Sequence, residues 1–244
     1  MSRIKSIVPA LASLALLLTV SAGIRAQQPA PQQAASRFDV TNYRIEAQII
    51  PDQHMLRAGA DITFVPLDAT RSVVFELNGS LKVESIEMNG KALTGFVQDN
   101  VGVGSIGPNV RVDLGQVMPA NQPITLRVRW SGALVSPEGG PLATRRLAYV
   151  GTEGSYLMYA SRWFPFHDYA ADRATSDITF IVPSGLQVAG TSDDAVVAQP
   201  APKEGAVRYR FVHRQPVLIG NFAAGQYINR NLRYSNYDLQ LYAM

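Results

Sequence analysis

Ser161-Arg162-Trp163-Phe164-Pro165-Phe166-His167-Asp168 packs a guanidinium, three large aromatic rings, a proline, a histidine and an acid into eight residues. The polar and apolar positions of this stretch, and of its continuation to Asp177, follow neither the helical nor the strand period. Pro165 fixes its own φ and drives Phe164 toward extended backbone, so the chain turns here and is not helical. Asp168 and Asp172 are short acceptors suited to capping turns. Arg162 offers five donors that can hold those carboxylates or nearby carbonyls. Trp163, Phe164 and Phe166 bring large areas to bury. Residues of these types in this order predict a rigid packed corner rather than an active site.

On both sides of the corner the chain reads as short strands. Downstream, Thr175 to Val182 alternates and is stopped by Pro183-Ser184-Gly185. Leu186 to Gly190, Ala195 to Ala198, Val207 to His213, Val217 to Tyr227 and Tyr237 to Tyr242 follow, with a turn over Pro200 to Gly205. Upstream, Val40 to Ile49 and Leu56 to Phe64 alternate around Pro51-Asp52-Gln53, which predicts a hairpin. Ser72 to Leu77 reads as a third strand. Leu81 to Met88, Asn89-Gly90 and Lys91 to Leu93 form the clearest hairpin, because Asn-Gly supplies the positive φ values of a type I′ turn. Val110 to Leu114, Ile124 to Trp130, Leu147 to Val150 and Tyr156 to Tyr159 complete the set, with a Gly- and Pro-rich loop over Ser131 to Thr144. No stretch after the amino terminus has a helical period of useful length. Many short strands with frequent turn signals predict an all-β sandwich or an open, curved assembly of sheets.

The 244 residues, 47% hydrophobic and 17% charged, suit a folded body with a sizeable core. Residues 1–26 read as a secretory signal: Arg3 and Lys5 start it, Ile7 to Val20 is its apolar core, and Ile24-Arg25-Ala26 is its cleavage end. That apolar run is short for a membrane span. These 26 residues hold three of the 22 basic side chains and none of the 19 acids, so the remainder is near charge balance. No electrostatic case for nucleic acid or anionic membranes is left. Gln27 to Arg37, rich in Gln, Ala and Pro, is expected to be a flexible linker, with the folded part over 38–244. With no cysteine, disulfides and thiolate metal sites are excluded, and the core alone must hold the fold.

The chemistry-bearing residues are scattered. His54, His167 and His213 are far apart and none sits in His-Glu-x-x-His, so no metal site is predicted. Gly102-Val103-Gly104-Ser105-Ile106-Gly107 matches the dinucleotide pattern formally, but Pro108-Asn109 and a strand-like run follow where a helix is needed. Ser105 lacks the glycine two residues before it that a nucleophile elbow requires. His167-Asp168 has the composition of a base with its orienting acid, yet adjacent residues on a turn point apart. Asn78-Gly79-Ser80 fits the glycosylation acceptor pattern on a short match. Glu153, on the glycine-flanked loop before the corner, is the one acid that stands out as a candidate substrate contact.

Taken whole, the central stretch resembles a segment of the aminopeptidase N family of zinc metallopeptidases: Ala-Arg-x-x-Phe-Pro-Cys-x-Asp-Glu-Pro-x-x-Lys-Ala, then a strand and Val-Pro-x-Gly-Leu. The chain supplies Ser161-Arg162, Phe164-Pro165, Asp168, Arg173-Ala174, Ile178 to Val182 and Pro183-Ser184-Gly185-Leu186. Leu56 to Phe64 is similar to the family's Leu-x-Gly-x-x-x-Ile-x-Phe strand, with Ala58 in the glycine place. Ile219 to Tyr227 is similar to its closing strand pair. Phe166 stands for the family's Cys and Tyr169-Ala170 for its Glu-Pro, and Glu153 lies too far upstream to take the substrate-contacting position. Arg162, Pro165 and Asp168 carry over as fold-defining residues.

The resemblance implies an antiparallel, saddle-like or sandwich-type amino-terminal domain. It implies a peptide substrate, and a zinc-binding catalytic domain beyond Met244 that holds Gly-x-Met-Glu-Asn and His-Glu-x-x-His. By itself this chain is expected to be noncatalytic and free of cofactor, and exported to the periplasm, envelope or exterior with no membrane span after signal cleavage. A rival expectation is a free-standing secreted sandwich that binds a peptide or glycan on its concave sheet.

Overall fold

The computed structural model describes residues 37–100, 108–135, 146–235 and 237–243. In chain order its strands are β1 (Phe38–Ile50), β2 (Met55–Pro66), β3 (Thr70–Glu76), β4 (Leu81–Met88), β5 (Lys91–Ala92) and β6 (Phe96–Asp99). Then come β7 (Asn109–Met118), β8 (Ile124–Ala133), β9 (Ala148–Tyr149), β10 (Ser155–Leu157), β11 (Ala174–Pro183) and β12 (Gln187–Ala189). The last are β13 (Gln199–Pro200), β14 (Ala206–Val217), β15 (Phe222–Gly225), β16 (Ile228–Tyr234) and β17 (Tyr237–Ala243). Helical backbone among the described residues is limited to 3-10 turns at Pro51–Gln53 and Ala160–Arg162. None of it is long and apolar enough to cross a membrane.

The protein is all-β, as the alternation predicts. An eight-stranded sheet runs β13-β14-β11-β1-β2-β8-β4-β5, accompanied by β3-β7-β6, by β12-β15-β10-β9 and by the ribbon β16-β17. Asn89 and Gly90, with φ of 53° and 73°, make the turn of the β4-β5 hairpin. Three expectations change. The strand pairings are antiparallel except that β1 and β11 run parallel, Tyr43 opposite Ser176 and Ala47 opposite Phe180; alternation within a strand is blind to its neighbour's direction. Ala195 to Ala198 is not a strand, and β13 falls instead on Gln199–Pro200, just before and at the first residue of the turn expected over Pro200 to Gly205. β6 and β16 form where no alternation announced them. Gly102 to Gly107, residues 1–36 and most of the loop expected over Ser131 to Thr144 lie outside the described residues.

The inner face of the large sheet carries Tyr43, Ile45 and Ala47 of β1, Ile62 and Phe64 of β2, and Trp130 of β8, all buried. Two small sheets close it from the same side through aromatic contacts. Phe75 of β3 meets Phe38 and Phe64 at centroid distances of 5.3 and 6.2 Å, while Phe222 of β15 meets Phe180 and Phe211 at 4.8 and 5.1 Å. Between them sits the corner, with Phe164 edge-on to Tyr43 at 5.1 Å and Trp163 against Phe180 at 5.5 Å. One continuous core therefore joins the three sheets.

The outer face is charged. Glu87 (β4), Arg127 (β8), Asp61 (β2), Arg44 (β1) and Asp177 (β11) stand opposite one another in register, so adjacent strands alternate in sign. Arg210 of β14 extends the row diagonally, 2.7 Å from Asp177, and Arg127 lies 2.7 Å from Asp61. Hydrogen bonds from these guanidinium groups hold both carboxyls below the usual range. Their small contribution is present above the unfolded carboxyl pKa and is lost as pH falls through the folded one. We expect Phe180→Ala to cost about 3–5 kcal/mol in urea denaturation. Asp61→Asn, on the solvated face, should cost less than about 1 kcal/mol at neutral pH.

Candidate functional site

The corner begins where β10 ends. Tyr159 adopts φ 63°, in the left-handed region, and the turn Ala160–Arg162 follows. Because the segment is buried but belongs to no sheet, its backbone groups need other partners. Ser161 N–H donates to the Tyr169 hydroxyl at 2.7 Å, and the Ser161 carbonyl accepts from Asn78 N–H at 2.8 Å. The Arg162 carbonyl accepts from the Asn78 side-chain amide at 3.1 Å, and the Trp163 carbonyl from the Trp130 indole at 2.8 Å. Phe166 exchanges two backbone hydrogen bonds with Glu76 on β3, of 2.8 and 3.0 Å. Pro165, with no N–H to satisfy, is buried in the middle of this run.

Each predicted corner residue has a structural task. Arg162 is buried and pairs with Glu76 of β3 at 3.1 Å, a partner that its position in sequence did not announce. Asp168 caps its own turn, accepting from Ala170 and Ala171 N–H at 2.9 and 3.3 Å. Asp172 does not cap: it is 3% exposed and accepts from His167 Nδ1 at 2.8 Å. The partner of His167 is thus five residues on, not the adjacent Asp168, because a tight turn brings residues four or five apart together. The His167 ring stacks on Phe38 at 3.8 Å. Burial pushes the Asp172 carboxyl up, opposed by the hydrogen bond from His167 and reinforced by Asp39 and Asp168. Asn78, 1% exposed, spends its side chain inside the protein, so the acceptor pattern at Asn78-Gly79-Ser80 is closed.

The other histidines are equally occupied. His54 Nδ1 lies 2.7 Å from the Val150 carbonyl, and His213 lies between Ser176 and Thr191 at 2.9 and 3.2 Å. Ser176 is sealed in the core, and both ring nitrogens of His213 are engaged, so this pair has no access to a substrate. Among the described residues no three His, Asp or Glu side chains gather to hold a metal. They do not fit a zinc ion, and no metal-dependent step is assigned to them.

The open face lies on the sheet β12-β15-β10-β9. Tyr149 and Tyr156 face each other across β9 and β10 on the side away from the core, their rings 5.7 Å apart. The Arg146 guanidinium lies 4.6 Å over Tyr149. The Tyr149 hydroxyl donates to Glu153, which lowers the carboxyl's pKa and raises the phenol's. Gly151 makes this possible, since a Cβ there would stand 2.3 Å from the Tyr149 hydroxyl. Glu153 is exposed but tied to an aromatic rim. That rim is a surface able to stack and hydrogen-bond a ligand.

No protein-family model matches the sequence, and no curated protein matches it. Solved structures do match the fold. An M1 zinc metallopeptidase variant from Deinococcus radiodurans bound to a Tyr-Ser-Ala substrate aligns with TM-score 0.66 at 18% identity, over 83% of this chain and 46% of its own. A two-domain M1 zinc metallopeptidase variant bound to L-arginine aligns with TM-score 0.66 at 19% identity, over 84% of this chain and 48% of its own. The fold is thus that of one part of the M1 zinc metallopeptidases. This chain spans about half the length of those enzymes.

Asp168 holds φ 35°, which asparagine tolerates and alanine does not. Asp168→Ala should lower the melting temperature by several degrees, and Asp168→Asn by much less. Asp172 binds its proton more tightly folded than unfolded, so its contribution is greatest below the ordinary carboxyl pKa. That contribution is lost as pH rises through the folded value. Asp172→Asn should abolish that slope, so that wild type loses ground to the variant between acid and neutral pH in denaturant titrations.

Proposed function

We propose that this chain is the amino-terminal β domain of an M1-type zinc metallopeptidase, exported through residues 1–26. It walls one side of the active-site cleft and limits access to the substrate's free amino end. The observation that carries the reading is the fold match over most of this chain and only about half of each enzyme. The ordered resemblance around Arg162, Pro165 and Asp168 supports it. Zinc, general base and hydrolysis belong in this reading to a following catalytic domain.

The β16-β17 ribbon also supports a partner surface. Ile228 and Tyr234 are 69% and 75% exposed, and Leu232 and Leu241 are exposed beside them. A two-stranded ribbon alone is marginal in water, so one that presents its apolar side chains to solvent gains from being covered.

The purified chain with added zinc should leave aminoacyl-anilides unhydrolysed, and chelator-sensitive turnover would overturn the noncatalytic assignment. The reading frame after Met244 should encode Gly-x-Met-Glu-Asn and His-Glu-x-x-His. A stop codon there, with no catalytic partner encoded nearby, overturns the domain assignment. The mature protein should begin at Gln27.

A further inference from the structure

The outer face of the eight-stranded sheet forms an open trough of about 820 Å³, within the roughly 300–1,000 Å³ of small-ligand sites. Its floor dips at Gly59, which stands in register between Arg129 on β8 and Glu46 on β1. The Arg129 side chain lies over that gap, its Cγ 3.7 Å from where a Cβ on Gly59 would stand. Arg57, two residues earlier on β2, projects from the same face. The flanking arginines Arg127 and Arg210 are neutralised by Asp61 and Asp177. Arg44 stands in register between Asp61 and Asp177, whereas Arg57 and Arg129 have neither an ion pair nor an acid directly opposite them among the described residues. Two exposed guanidinium forks thus stand together beside three acceptors, Glu46, Gln48 and Glu84.

We propose that this trough binds an acidic glycan, a chain of uronate-type sugars. Its carboxylates pair with Arg57 and Arg129, and its hydroxyls donate to Glu46, Gln48 and Glu84. Arginine's planar fork matches a carboxylate in two-point geometry. The central strands have neighbours on both sides, so a peptide cannot add as a further strand here. No aromatic ring lines the trough among the described residues, which removes the stacking platform a neutral sugar uses. An ionised acidic peptide offers only acceptors from its side chains, which leaves Glu46 and Glu84 without donors to accept from. A uronate sugar offers both carboxylate acceptors and hydroxyl donors, the mixture that this lining complements. The trough lies across the sheet from the corner and the small sheets, so this binding is independent of the peptidase reading.

Calorimetric titration of the full chain with tetragalacturonate, its methyl-esterified form and poly-glutamate tests this. Tetragalacturonate should bind saturably and more weakly as salt is raised, and the uncharged ester should not bind. Arg57→Ala with Arg129→Ala should weaken binding by at least about tenfold, with melting unchanged because both side chains are solvated. Arg57→Gln with Arg129→Gln, which keeps side-chain bulk and a donor but no charge, should give a similar loss. Glu46→Ala should also weaken binding, through the hydroxyl contacts. Absence of tetragalacturonate binding, equal binding of the ester, tighter binding of poly-glutamate, or indifference to the arginine substitutions would each overturn the proposal.

Discussion

An irregular segment buried at the centre of a protein must find a partner for nearly every backbone N–H and C=O, and the rest of this structure is arranged around that requirement. The run from Ser161 to Phe166 meets it with groups borrowed from four residues. They are the Asn78 backbone and side chain after β3, the Trp130 indole on β8, the Tyr169 hydroxyl on the turn that follows the run, and the edge of β3 at Glu76. Those contacts fix β3 and β8 relative to the corner. Arg162, buried with its charge beside Glu76, ties the corner to β3 again.

The aromatic content of the corner has a geometric purpose. A large sheet and two smaller ones cannot close on one another over strand side chains alone where their edges diverge. Trp163, Phe164 and Phe166 fill that wedge, touching Tyr43, Phe180 and Phe222. The core is continuous as a result, and a protein without cysteine needs that continuity.

The two surfaces the core leaves outside differ in chemistry. The large sheet shows an alternating row of charge in which each carboxylate has a cation beside it, and two arginines beyond that row are left to solvent. The small sheet β12-β15-β10-β9 shows paired tyrosines and Glu153. The domain role proposed above offers a reason for an aromatic rim and an uncovered ribbon. It gives none for the arginine trough on the opposite side.

The sequence by itself determined the all-β class, the β1-β2 and β4-β5 hairpins and the corner, because alternation, Asn-Gly and a proline among aromatics are local signals. The resemblance around Phe164-Pro165 and Asp168 was equally local and led to the same fold. Only the tertiary structure decided the parallel pairing of β1 with β11, since residues more than a hundred positions apart meet there and either direction satisfies the same alternation. It alone joined Arg162 to Glu76, His167 to Asp172 and Asn78 to the corner. Partners of buried charged and polar groups are chosen by which elements pack together, and that choice is not written in spacing along the chain.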